Sequence, residues 1–302
     1  MRTVYLGTSE FAGAVLRRLA GSSHRPALVV TPPDRRKGRG RRTGPPPAAF
    51  VAEELGIELL QAENVNDEAA LEAIRAARPE AVAVCAFGQL IREPLLSEWP
   101  MLNVHPSLLP RWRGAAPIER AIMAGDERTG VSVMRVTAGL DSGPVALREE
   151  APIGAEDDFE ALSGKLSALG GEILVEALDL LAAGRIEFAE QNDADAIYAE
   201  KVDPGERRLD PGRPAAELAR TVRALTPHVG AYVELGDESR LGVRRARAVE
   251  VGVRQGEMKA EWGALLLGCG GGGALRLEVV QPPGGKPMAA DAYLRGHRVP
   301  AL

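Results

Sequence analysis

Two cysteines in 302 residues, Cys85 inside an apolar run and Cys269 beside a glycine tract, leave no pair at metal-binding or redox spacing. A disulfide framework, a thiolate metal cage and a Cys-x-x-Cys redox centre are thereby excluded, and both thiols are expected to be reduced and structural. Aromatic residues make up only 4% of the chain, so there are few flat side chains on which bases could stack. A nucleic-acid partner would have to be held by charge against its backbone instead. No apolar run approaches the roughly 20 residues that span a bilayer, and residues 1–6 enter an apolar strand without a charged-then-apolar leader. Membrane insertion and secretion are not expected, and a cytoplasmic protein is. Also missing are G-x-S-x-G, H-E-x-x-H and the Walker lysine motif. Nucleophile-elbow hydrolysis, zinc peptidase chemistry and P-loop phosphoryl transfer are disfavoured with them, and no metal is expected.

What is present is a globular composition, 45% hydrophobic and 26% charged, long enough for two cores. The net charge of −5 is unevenly spread: residues 206–302 hold 15 Lys/Arg against 11 Asp/Glu, leaving 22 against 31 in the first 205. The C-terminal part is therefore the one able to face phosphates. A second cationic feature is Arg35-Arg36-Lys37-Gly38-Arg39-Gly40-Arg41-Arg42, six cations in eight residues. On composition it reads as readily as a solvated loop as a phosphate-following one.

Over the first half, short apolar runs alternate with helical periodicity. Strands are expected at residues 3–6, 27–30, 57–60, 81–85 and 101–105, and helices at 11–20, 48–55 and 68–77. That alternation predicts a Rossmann-like α/β domain with a parallel sheet, whose strands are apolar enough to be covered on both faces. Gly7-Thr8-Ser9 makes a nucleotide-fold turn but lacks G-x-G-x-x-G, which disfavours a dinucleotide. Residues 131–136 and 144–149 read as paired strands, and 157–183 as a long helix that stops at Gly184. The Pro- and Gly-punctuated stretch 190–205 reads as a linker. Beyond it come a helix at 214–225 and strands at 231–235, 240–243, 246–251, 262–267 and 274–280, the pattern of a small β-barrel. The expected division is 1–189, linker 190–205, and 206–302.

The chemistry concentrates in Asn103-Val104-His105-Pro106-Ser107-Leu108-Leu109-Pro110. Alternate strand residues share a face, so Asn103 and His105 project side by side. They do so at a strand's carboxyl end, where open α/β sheets bind ligands. Taken alone, such a pair reads equally well as a cap for loop backbone, and Gly139-Leu140-Asp141-Ser142-Gly143 as a turn. Together, an amide, an imidazole and a carboxylate supply what acyl transfer to an amine requires: a donor for the developing oxyanion, a titratable group and its orienter. An α-amino group with a pKa of about 7.7–8.0 needs no covalent enzyme nucleophile.

On these residues the chain resembles the folate-dependent formyltransferases, which share Asn-x-His, Ser-Leu-Leu-Pro and a later Asp in a glycine-flanked loop. The longer string from Asn103 through Arg111-Trp112-Arg113-Gly114-Ala115-Ala116-Pro117-Ile118 resembles, within that superfamily, the methionyl-tRNA formyltransferases. Leu6-Gly7-Thr8-Ser9-Glu10-Phe11, Pro32-Pro33-Asp34, Ala86-Phe87-Gly88-Gln89, Tyr198-Ala199-Glu200-Lys201, Gln281-Pro282 and Gly285-Lys286 extend the likeness over nearly the whole chain. The resemblance implies an OB-fold-like C-terminal barrel that binds tRNA, 10-formyltetrahydrofolate as co-substrate and methionyl initiator tRNA as acceptor. It implies catalytic roles for Asn103, His105 and Asp141, and a folate pocket lined by Ser107, Leu108, Leu109, Pro110, Phe87, Gly88 and Gln89. It also implies tRNA contacts from Arg39, Arg41, Arg42 and Lys201. A monomer is the default expectation. Pro106, Pro211 and the stretch Thr226-Pro227-His228-Val229-Gly230 depart from the family pattern.

Overall fold

The computed structural model describes residues 1–37, 42–261 and 263–302. In chain order it begins with β1 (Thr3–Gly7), α1 (Glu10–Ala20), β2 (Pro26–Thr31), β3 (Arg35–Lys37), β4 (Arg42–Gly44), α2 (Pro47–Glu54), β5 (Glu58–Gln61) and α3 (Glu68–Ala76). There follow β6 (Ala81–Cys85), α4 (Leu95–Glu98), β7 (Met101–His105), β8 (Arg111–Gly114), α5 (Pro117–Ala124), β9 (Arg128–Arg135), β10 (Val145–Pro152) and α6 (Phe159–Ala182). The remainder is β11 (Ile197–Ala199), α7 (Ala215–Leu225), β12 (Ala231–Glu234), β13 (Arg240–Val249), β14 (Met258–Glu261), β15 (Ala264–Gly268), β16 (Ala274–Gln281), β17 (Met288–Ala289) and α8 (Ala290–Gly296). Packing divides these into two compact units. One holds Met1–Gly114, Arg128–Pro152 and Ser163–Tyr198, the other Ala115–Glu127, Ile153–Leu162 and Ala199–Leu302.

The first unit is built on a seven-stranded sheet in the order β10-β9-β7-β6-β1-β2-β5. The five strands from β7 to β5 run parallel, and β9 and β10 add antiparallel at one edge. Every residue of β1, β6 and β7 is buried, as runs such as Ala-Val-Ala-Val-Cys require when both faces are covered. α1 starts where Ser9 Oγ accepts the Ala12 N–H at 3.2 Å, a side-chain cap on an otherwise orphaned donor. Its face buries Val15, Leu16 and Leu19 completely, each contributing about 1.5–3 kcal/mol. Gly7 makes the turn possible, because a Cβ there would lie 2.5 Å from the Tyr5 ring. At Gly170, α6 comes so near β7 that a Cβ would sit 2.8 Å from Val104 Cγ1. The strand carrying Asn103 and His105 is thus clamped by β6, β9 and α6.

The second unit has a six-stranded antiparallel sheet, β12-β13-β16-β15-β14 with β17 added on β16. Its core joins Leu218, Val222 and Leu225 of α7 to Val233, Leu241, Val243, Leu265, Leu267, Leu275 and Leu277 of the sheet. The two strands expected at 240–243 and 246–251 are one strand, β13, whose register against β16 slips between Val243 and Ala246. A bulge interrupts alternation without ending a strand, which is why the sequence pattern reads as two. β14 was not expected; it pairs with β15 across a tight turn where Gly263 has φ 72°. α5, also in this unit, ends at Gly125 with φ 78°, a left-handed C-terminal glycine.

Candidate active site

β7 ends at His105 because Pro106 follows and the chain turns, with the Ser107 N–H donating to the His105 carbonyl at 2.9 Å. Asn103 and His105 share one face of the strand and are almost buried. The chain then returns as β8, placing the Trp112 carbonyl 2.8 Å from His105 Nε2. A carbonyl only accepts, so Nε2 carries the hydrogen and donates it. The other nitrogen, Nδ1, stands 3.6 Å from Asp141 Oδ2. That same Oδ2 accepts the Gly114 backbone N–H at 2.8 Å. The structure therefore brings His105 and Asp141 together, and β8 touches both. Asn103 is different: among the described residues its side-chain amide has no hydrogen-bond partner, although only 9% of the residue is exposed. The amide is not among the described buried polar atoms left without a partner, so it reaches solvent and stands available to hydrogen-bond a ligand.

The residues assigned to a folate pocket fall into two groups. In the first, Ser107 is fully buried, with its Oγ donating to the Arg111 carbonyl at 2.6 Å and its own carbonyl accepting from Ser132 Oγ at 2.7 Å. Leu109 joins Met134 and Val145 in a small buried cluster, Leu108 is half-buried, and the Pro110 carbonyl accepts the Ile197 N–H at 3.2 Å. In the second, Phe87 is buried and its carbonyl accepts from Thr8 Oγ1 at 2.6 Å, while Gly88 is exposed with φ 75°. Gln89 has both ends of its amide occupied: Oε1 accepts the Val65 N–H at 2.8 Å, and Nε2 donates to the Ala62 carbonyl at 2.9 Å. Its side chain shapes the neighbouring loop.

Of the cationic residues, Lys201 is exposed, and its ammonium has no ion pair among the described residues. The Lys201 and Glu200 carbonyls accept from Arg120, whose guanidinium also forks onto the Glu206 carboxylate at 2.5 and 2.9 Å. Arg42 lies in β4, paired with Lys37 of β3. Arg39 and Arg41 lie outside the described residues.

Reading the residues in sequence treated Trp112, Arg113 and Gly114 only as part of a string and did not single out Gln191. Two of these act through backbone atoms, which leave no mark on residue type. Cys85 is no rival nucleophile: burial pushes its thiol up to about 12, and the buried Tyr5 phenol beside it is likewise held well above its usual range. A thiol held neutral is inert.

Residues 1–178 match the family described as formyl transferase, and residues 201–298 the one described as formyl transferase, C-terminal domain. The chain is 41% identical over 301 residues to the methionyl-tRNA formyltransferase of Halorhodospira halophila, covering 99% of this chain and 97% of that one. With the methionyl-tRNA formyltransferase of Phenylobacterium zucineum it is 43% identical over 307 residues, covering 100% and 98%. The chain belongs to the methionyl-tRNA formyltransferase family.

Among solved structures, HypX from Aquifex aeolicus in complex with tetrahydrofolic acid superposes with a TM-score of 0.66 at 17% identity, covering 97% of this chain and 47% of that longer one. The chain thus spans about half of HypX, and this likeness shows the fold alone. In this member of the methionyl-tRNA formyltransferase family, the Asn-x-His strand, the Asp141 loop and β8 converge on one point. No described helix is long and apolar enough to cross a membrane.

Proposed function

We propose that the chain transfers the formyl group of 10-formyltetrahydrofolate to the α-amino group of methionyl initiator tRNA. The observation that carries this reading is the partnerless amide of Asn103 on the same strand face as His105, whose imidazole lies between the Trp112 carbonyl and the Asp141 carboxylate. The folate co-substrate supplies an acyl carbon bound to nitrogen. Asn103 Nδ2 offers a hydrogen bond to the formyl oxygen as negative charge gathers there, and its near-burial makes that bond worth more than it would be in water. His105, its ring orientation fixed through Nε2, presents Nδ1 towards Asp141 and the reacting groups. With a proton on Nδ1 it stabilises the same oxygen; without one it accepts a proton. Asp141 stands beside the ring and takes part in removing the amine's proton.

The transfer balances. One C–N bond to the methionine amine forms, the bond to folate nitrogen breaks, and the proton lost by the amine ends on that folate nitrogen. Phe87, Leu108, Leu109 and Pro110 offer apolar walls for a pterin, and the exposed Gly88 offers its backbone, as small-molecule pockets require. In this reading folate binding and catalysis belong to residues 1–189 and tRNA docking to 206–302, with Lys201, Arg39, Arg41 and Arg42 as phosphate contacts.

The test is to incubate purified protein with 10-formyltetrahydrofolate and methionylated initiator or elongator tRNA, then ask which amine has become blocked. Formylmethionine on initiator tRNA is the expected product. A protein that formylates only free amines or amino sugars would overturn the assignment.

A further inference from the structure

Asp141 has φ 46°, in the left-handed region that a residue with a side chain enters only where its surroundings hold it. One amide holds it. Gln191 Nε2 donates to the Asp141 carbonyl at 2.8 Å and to the Gly143 carbonyl at 2.7 Å, clipping the two ends of the turn together. Its Oε1 accepts from Arg113 Nε at 3.0 Å. Arginine only donates, so Oε1 must face it and Nε2 must face the two carbonyls; the orientation of the amide is decided by chemistry. The two amide N–H groups and the carbonyl are thereby all engaged. The Arg113 guanidinium is itself buried, 2% exposed, and its far end donates to Asp193 Oδ1 at 2.8 Å. Gln191 and Asp193 both come from the stretch whose Pro and Gly content reads as a linker.

The same short strand, β8, thus supplies three successive tethers. The Trp112 carbonyl takes the hydrogen of His105, the Arg113 side chain aims Gln191, and the Gly114 N–H holds the Asp141 carboxylate. Resting on the formyl-transfer reading above, we infer that Gln191 is a positioning residue for the reaction. It fixes the Asp141 loop in the conformation that puts the carboxylate opposite His105 Nδ1. Gln191 touches no reacting atom in this scheme and acts through Asp141, so its loss displaces the carboxylate without weakening either substrate's binding.

The experiment measures kcat and KM for both substrates in the wild type, Gln191→Met, Asp141→Asn and the double variant. Methionine matches glutamine in length but has no N–H to donate. A displacement of about 1 Å near the reacting groups costs on the order of 100-fold in rate. Gln191→Met is therefore expected to lower kcat by roughly 10- to 100-fold, with both KM values within about twofold. In the Asp141→Asn background it should cause almost no further loss, since coupled residues are non-additive. Should Gln191→Met fail to fold, Gln191→Glu keeps an acceptor for Arg113 while removing both donors, and the same cycle decides. A kcat within twofold of wild type, or losses that multiply in the double variant, would overturn the inference. A wild type that forms no formylmethionyl-tRNA overturns the proposed function and this inference together; an active wild type indifferent to Gln191 overturns only the inference.

Discussion

The Gly114 backbone N–H donates to Asp141 Oδ2 over 2.8 Å, so the carboxylate that faces His105 is anchored to the strand that also holds the histidine ring. Imidazole and carboxylate are registered to a common strut, and each can be removed chemically while the strut remains.

His105→Ala removes the ring and leaves Asn103 and Asp141 in place. Formylation should fall by about 10²- to 10⁴-fold, the range of a positioned acid–base group, with tRNA affinity nearly unchanged. Steady-state kinetics beside a filter-binding titration checks both. Equal loss of catalysis and affinity would assign His105 to substrate binding instead.

Asp141→Asn keeps an oxygen able to accept from Gly114 but removes the carboxylate that takes part in removing the amine's proton. The rate should fall by two orders of magnitude or more while the melting temperature stays close to that of the wild type. A variant retaining more than a tenth of the activity would remove the carboxylate from the mechanism.

Gly143→Ala tests the loop through packing. A methyl group there would overlap the Arg135 carbonyl oxygen, so the turn must shift and Asp141 with it. A destabilisation of about 1–3 kcal/mol is expected from such overpacking, together with a larger loss of kcat than its stability cost explains. Urea unfolding and kinetics on the same preparation separate the two.

Arg39→Ala, in the segment dense with cations, should weaken tRNA use, reduce the salt slope of binding by about one and leave folate affinity alone. Lys201→Ala should do the same from its exposed position in the second unit. An unchanged slope would argue against phosphate contact by that residue.

The Cys85 thiol gives a pH signature. Its folded value, about 12 because of burial, lies above the ordinary ~8.5 of an unfolded thiol. Its contribution is therefore complete below about pH 8.5 and is lost as pH rises towards the folded value, because the unfolded chain ionises first. Between pH 8 and 10.5 the wild type should lose stability more steeply than Cys85→Ala. Thiol alkylation at pH 8 should label Cys85 only in denaturant.

Much of the first unit was legible because its physics is local. β6 is a five-residue apolar run after Glu80, β7 lies between Pro100 and Pro106, and the structure has both at the residues that the pattern marks. Asn103 and His105 stand out for the same reason, as two polar residues at the end of an apolar strand. β8 was not legible: Arg-Trp-Arg-Gly has no strand periodicity, and two of its contacts to the site come from main-chain atoms. Gln191 was hidden by composition, because a stretch rich in polar residues looks like connection unless its partners are known. In the second unit the bulge in β13 breaks alternation, and β14 ends at a turn next to a residue, Gly263, that the pattern assigned to a strand.

The tethers at Trp112 and Gly114 are made by peptide groups, which trimming the side chain at position 112 leaves standing. A mutational scan along β8 would rate both positions by their packing and pass over what they hold. A change to the Gly114 amide itself, an ester or a proline in its place, would remove the donor that holds the carboxylate.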